Sequence, residues 1–128
     1  MRTTVTNGIS VTVNSRFEAA HSDPRVNRFL FSYRITISNT SNETVQLERR
    51  HWTIRDSMAA VRTVEGPGVV GETPVLAPGE EFSYSSACDL RSGLGRMSGH
   101  YMMRRTRDGG LFSVVIPDID LRFPYHAN

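Results

Sequence analysis

Apolar residues recur at every second position along most of this chain, and that period restricts the class of fold open to it. Ile9, Val11 and Val13 alternate with Ser10, Thr12 and Asn14, and Phe29, Phe31, Tyr33, Ile35 and Ile37 alternate with Leu30, Ser32, Arg34, Thr36 and Ser38. Successive side chains of a strand point to opposite faces, so each segment has one apolar and one mostly polar face, as an antiparallel sheet covered on one side requires. Helical periodicity is nearly absent. Further strands are expected from Val45 through Leu47 and the Arg49 to Arg55 segment around Trp52, then from Ala59 to Val64, Phe82 to Ala87, Met97 to Arg105 and Leu111 to Ile116. Pro117 is expected to end the last of these, with Asp118 to Phe123 as a separate edge strand. The Glu18 to Asn27 segment, broken by Pro24, reads as an exposed loop. Asn39-Thr40-Ser41-Asn42-Glu43, Pro78-Gly79 and Asp108-Gly109-Gly110 carry turn chemistry. Roughly seven or eight short strands divided by turns fit an all-β, antiparallel β-sandwich of immunoglobulin or fibronectin type III character. A closed barrel is the alternative, since alternation does not say how sheets close.

Composition narrows the chemistry. All 15 cationic side chains are arginine, so Schiff-base chemistry and the P-loop lysine are excluded. The formal net charge of +2 gives weak attraction to a phosphate backbone, which argues against nucleic acid as a partner. No apolar run is long enough to span a bilayer, and Met1 to Gly8 does not read as a secretory signal, so a cytoplasmic location is expected. Cys88 is the only cysteine and cannot form an internal disulfide, so a single domain over residues 1–128 must rest on its apolar core.

Gly66-Pro67-Gly68-Val69-Val70-Gly71 matches the spacing of dinucleotide-binding loops, but such loops work by opening a helix whose amides hold pyrophosphate. Thr73-Pro74 comes too soon for that helix, so the string is expected to be a structural turn, with an amide nest for a phosphate or pyrophosphate as the alternative. His21, His51, His100 and His126 show no ligand spacing, and no metal site, cofactor or nucleophile elbow is indicated. In Arg49-Arg50-His51-Trp52-Thr53-Ile54-Arg55-Asp56, Trp52 reads as the large residue on which a sandwich packs. The arginines are expected on the other face of that strand, able to hold acidic peptides or phosphates in bidentate fashion.

These motifs, in order, resemble the ApaG (CorD) family. The resemblance runs from Phe31-Ser32-Tyr33-Arg34-Ile35-Thr36-Ile37-Ser38-Asn39 through Arg50 to Asp56, Gly66 to Pro74, Leu76 to Tyr84 and Gly95 to Met103, ending at Phe112 to Pro117. It implies a fibronectin type III-like sandwich over the whole chain without known enzymatic activity, linked in bacteria to cobalt resistance and magnesium efflux. Related eukaryotic domains serve as partner-recognition modules in F-box and polymerase-delta-interacting proteins. The expected activity is therefore recognition of a protein partner, by a surface combining Gly66, Gly68 and Gly71 with Arg50, Trp52 and Arg55 and with His100 and Tyr101. The rival expectation is a small-anion binder that uses the same glycine loop. Exposed sheet edges also make a homodimer an expectation.

Overall fold

A computed structural model describes residues 1–125, and its first turn sets the pattern for the rest. Asn7 and Gly8 both take positive φ, 48° and 79°, which matches a two-residue hairpin to the right-handed twist of its strands. The hairpin joins β1 (Arg2–Thr6) to β2 (Ile9–Phe17), and the chain continues through β3 (Phe29–Asn39), β4 (Val45–Asp56), β5 (Arg62–Pro67), β6 (Val75–Leu76), β7 (Glu81–Leu90), β8 (Leu94–Arg105) and β9 (Leu111–Arg122). One antiparallel sheet has the order β1-β2-β3-β7; the other has β5-β4-β8-β9, with β6 also paired to β4. The expected sandwich is therefore the observed fold, with two separate sheets and no closed barrel.

Several expected boundaries move. β1 precedes the segment expected to be the first strand. The strand expected at Ala59 to Val64 is β5, Arg62–Pro67, so Gly66 and Pro67 belong to a strand and not to the loop after it. Pro117 does not terminate a strand: β9 runs through it to Arg122, and the register changes from Gly99↔Ile116 to Met97↔Ile119. Pro117 and Asp118 thus oppose Ser98 alone in a bulge, one of the few places where a strand proline costs no ladder hydrogen bond. The Glu18 to Asn27 segment is a loop with two short 3₁₀ turns, Ala19–His21 and Pro24–Val26, neither of which buries a residue.

A second bulge decides where side chains of β4 point. The register with β8 shifts between Leu47 and Arg49, so Glu48 is the extra residue. Strict alternation would turn Leu47 and Trp52 to opposite faces; the bulge brings Val45, Leu47, Trp52 and Ile54 into one core. There Trp52 meets Tyr33 of the facing sheet edge to face, with ring centroids 5.8 Å apart. The Tyr84 and Tyr101 hydroxyls meet at 2.5 Å between the sheets. Burial pushes both phenols well above their ordinary pKa, so the pair remains neutral.

This hydroxyl pair should behave as a unit. Tyr101→Phe leaves the Tyr84 hydroxyl buried without its partner, at an expected cost of about 1–2 kcal/mol. In urea unfolding, the double variant Tyr84→Phe, Tyr101→Phe should lose less stability than the sum of the singles, by about 1 kcal/mol; simple additivity would contradict the pairing.

Candidate functional site

The two sides of the sandwich are finished differently. On one side, β1 lies against the edge of β9: the Thr4 hydroxyl donates to Val115 O at 2.9 Å, the Val115 N–H donates to Thr6 Oγ1 at 3.3 Å, and Arg2 pairs with Asp120 at 2.9 Å. On the other side, the edges β5 and β7 are separated by a cleft of about 350 Å³. Trp52, Ile54, Val64 and Met97 form one wall, and Tyr33, Tyr84, Ser86 and Cys88 form the other. Val69 and Val70 close one end, while Arg62 and Asp89 stand at the far end.

Arg50 also lines this cleft, and the glycine string builds its seat. Being two residues from Trp52, Arg50 shares its face, which corrects the expectation that the arginines all lie opposite; Arg49 and Arg55 do. Arg50 Nη1 donates to Pro67 O at 3.0 Å and Gly68 O at 2.9 Å. Gly66 is directly across the ladder from Arg50, and a Cβ there would sit 3.4 Å from Nη1. At Gly68, φ is +61° and a Cβ would fall 2.2 Å from Glu72 O, so no other residue fits. The string then closes as a tight hairpin in which Val69 N–H donates to Glu72 O and Glu72 N–H to Val69 O, at 2.8 and 2.9 Å. Val70 takes φ 44°, a strained conformation for a β-branched residue, and its exposed side chain stands at the mouth of the cleft. Among the described residues no helix begins after Gly71; the chain goes on to β6.

Charge in the cleft is unevenly compensated. Arg62 Nη2 reaches Asp89 Oδ1 and Cys88 Sγ, each at 3.5 Å, and also donates to Asp89 O. Arg50, by contrast, is half-buried and makes no ion pair among the described residues, whereas the other half-buried arginines, Arg104 and Arg105, pair with Glu48 and with Glu43 and Asp108. Burial pushes the Cys88 thiol up despite the opposing pull of Arg62, so it is not a ready nucleophile. Burial likewise raises the Tyr33 phenol, partly offset by Ser86 and by Arg50. Among the described residues, no group of three or more His, Cys, Asp or Glu is arranged to hold a metal ion. A guanidinium with donors to spare, beside an aromatic and aliphatic wall, is suited to holding an anion that carries an apolar group.

The ApaG domain family model matches residues 19–105, which include every residue lining the cleft. The chain belongs to the ApaG domain family. It is 48% identical over 120 residues to Protein ApaG of Brucella anthropi, covering 94% of this chain and 92% of that protein. Protein ApaG of a Methylobacterium species is 47% identical over 120 residues, with the same coverage of 94% and 92%. Among solved structures, the ApaA protein from Bordetella pertussis superposes with a TM-score of 0.87 at 38% identity, covering 92% of this chain and 95% of that one.

In this ApaG domain the residues singled out from sequence divide into groups. Arg50 and Trp52 line the cleft, and Gly66 and Gly68 lie against Arg50. His100 lies on the outer face of the second sheet, stacked on His51 at 5.1 Å, with His51 Nδ1 3.7 Å from Glu65. Arg55 is exposed on that same outer face. Tyr101 is fully buried, 0% exposed, so it serves the core and offers no surface to a partner. A Cβ added at Gly71 would meet nothing within 4 Å. His126 lies outside the described residues. Asp56 anchors the end of β4: burial opposes its ionisation, but the Arg91 N–H at 2.6 Å and the Ser92 hydroxyl at 2.7 Å outweigh it and hold the carboxyl below its usual range. Sequence reasoning passed over Tyr33, Arg62, Val64, Tyr84 and Cys88 as site residues, because their meeting depends on which strands end each sheet.

The two glycines should respond unequally to substitution. Gly68→Ala meets both the left-handed backbone and a backbone clash, and should cost about 2–3 kcal/mol in urea unfolding; Gly71→Ala, strained but unobstructed, should cost about 1 kcal/mol. Equal losses would show that Gly68 is not the tight point of the hairpin.

Proposed function

We propose that this ApaG domain is a non-catalytic recognition module that takes an extended segment of another protein along the free edge of β7, beside the cleft. The observation that carries this reading is the composition of that edge. β7 is ten residues long, pairs among the described residues only with β3, in continuous register, and from Phe82 to Cys88 has no charged residue, proline or bulge. Natural sheets guard their edges with such devices unless the edge is meant to be used. An added strand supplies main-chain hydrogen bonds, and alternate side chains of the incoming segment enter a neighbouring pocket. Here the neighbouring pocket contains Arg50, the Arg62–Asp89 pair, an aromatic wall and, among the described residues, no imidazole, a set suited to holding rather than transforming a ligand.

The glycine string favours this reading over pyrophosphate binding. The amides of Gly68, Val69 and Glu72 are already bonded to backbone carbonyls, and the Pro67 and Gly68 carbonyls face Arg50. Any influence on magnesium or cobalt efflux would then act through the bound partner.

A photo-crosslinking residue at Ser85, exposed on β7, should form an adduct with a partner protein in the source cell, whereas the same residue at Thr12, on the outer face of β2, should not. Ser85→Lys together with Ala87→Lys should reduce capture by a crosslinker at Ser83 at least about tenfold, since charges guard a strand edge. Equal adducts at Ser85 and Thr12, or an adduct only with a second copy of this chain, would contradict the proposal, the latter in favour of a homodimer.

A further inference from the structure

We infer that the cleft between β5 and β7 recognises one carboxylate joined to one bulky apolar side chain, so that the partner segment carries an acidic residue beside an aromatic or branched aliphatic one. The inference names the chemistry of the partner and rests on the recognition role proposed above.

Three features define the ligand. The first is charge. Arg50 and Arg62 each contribute one positive charge to the cleft and Asp89, which Arg62 contacts at 3.5 Å, contributes one negative charge, leaving a net of one positive charge centred on Arg50. A monoanion balances that arrangement; a pyrophosphate would not.

The second is the hydrogen-bonding capacity of Arg50. A guanidinium has five N–H donors in a fixed fork. In Arg50 the two carbonyl bonds, to Pro67 and Gly68, are both made by Nη1, and Nε and Nη2 have no partner among the described residues. The Nε–Nη2 side of a guanidinium matches the two oxygens of a carboxylate, giving a bidentate pair. The carbonyl bonds hold the group in place, so little rotamer freedom remains to be lost when an anion arrives.

The third is the size and character of the remaining space. About 350 Å³ lies near the lower end of ligand cavities, which suits one large side chain rather than a nucleotide. Its walls near Arg50 are Trp52, Val64, Val69 and Val70. Val64 and Val70 are 38% and 55% exposed, apolar area that a bulky ligand would cover. A carboxylate without an apolar companion would leave this wall wet, and an apolar group without a carboxylate would leave Arg50 half-buried without a counter-charge.

Trp52 is the only tryptophan in the chain, so its fluorescence reports occupancy without any label. The probe is N-acetyl-L-phenylalanine, titrated into the full chain, with N-acetyl-L-phenylalaninamide, acetate and inorganic pyrophosphate as comparisons. N-acetyl-L-phenylalanine should give a saturable change with a millimolar dissociation constant. The amide, acetate and pyrophosphate should each bind at least about tenfold more weakly, since a charge-assisted bidentate contact or the apolar contact is absent. Arg50→Gln should weaken the carboxylate at least about tenfold and leave the amide unchanged within about twofold, a comparison that also shows the cleft is still formed. Binding of the amide as tightly as the acid, tighter binding of pyrophosphate, or no saturable change would overturn the inference. Crosslinking through Ser85 separates the two proposals. Adducts that persist in Arg50→Gln, with no binding of the probe, sink the carboxylate chemistry and leave edge recognition standing; probe binding without adducts does the reverse.

Discussion

Two stacked antiparallel sheets leave four edge strands, and each edge is a row of backbone donors and acceptors that must find water or a partner. In this domain the four edges are treated as two pairs. β1 and β9 come together and satisfy one another through Thr4, Thr6 and Arg2. β5 and β7 do not; among the described residues the side-chain hydrogen bonds from β5 to β7 come from Arg62, whose guanidinium meets Cys88 and Asp89. The open side results from that asymmetry, and with it the cleft, the exposure of the β7 edge and the position of Arg50.

Arg50 gives the open side its chemistry. A guanidinium loses solvation when it is drawn between sheets, and the loss is normally offset by a carboxylate. The chain offsets it only partly, with two backbone carbonyls supplied by the Gly66 to Gly71 string. Gly68 has a task set by sterics in that stretch: it lets the chain turn back against Glu72. A spacing that elsewhere cradles phosphate through amide donors is used here to present carbonyl acceptors inward to a cation. The difference arises because the string closes into a hairpin instead of opening a helix.

The sandwich was legible because burial of one face imposes a period of two that survives in the sequence, as β3 shows over its whole length. Readings failed where the backbone departs from that period. Pro117 looked like a terminator because the bulge that accommodates it depends on β8, and no local pattern announces it. β1 is short and mostly threonine, so its alternation is faint, although Asn7-Gly8 was a strong hairpin signal beside it. For the site, Arg50 and Trp52 stood out by residue type, but the arginines were expected opposite Trp52, although a two-residue spacing sets Arg50 on its face. Tyr101 was expected at the partner-binding surface, although its even spacing from Met97 and Met103 sets it on the buried face of β8. What no spacing discloses is that β3 is flanked by β2 and β7, and hence that Tyr84 and Cys88 stand across a gap from Trp52 and Val64. That arrangement depends on pairing between distant segments.

Amide hydrogen exchange in the free protein compares the two sides directly. Exchange from edge positions reports whether a backbone group is bonded or open to solvent. The amides between Phe82 and Cys88 that face away from β3 should exchange at least about tenfold faster than the Val115 amide, which Thr6 protects at the opposite side. Slow exchange along all of β7, equal to that at Val115, would mean that the β5 and β7 edges are closed in solution, and would contradict an open, partner-accepting side.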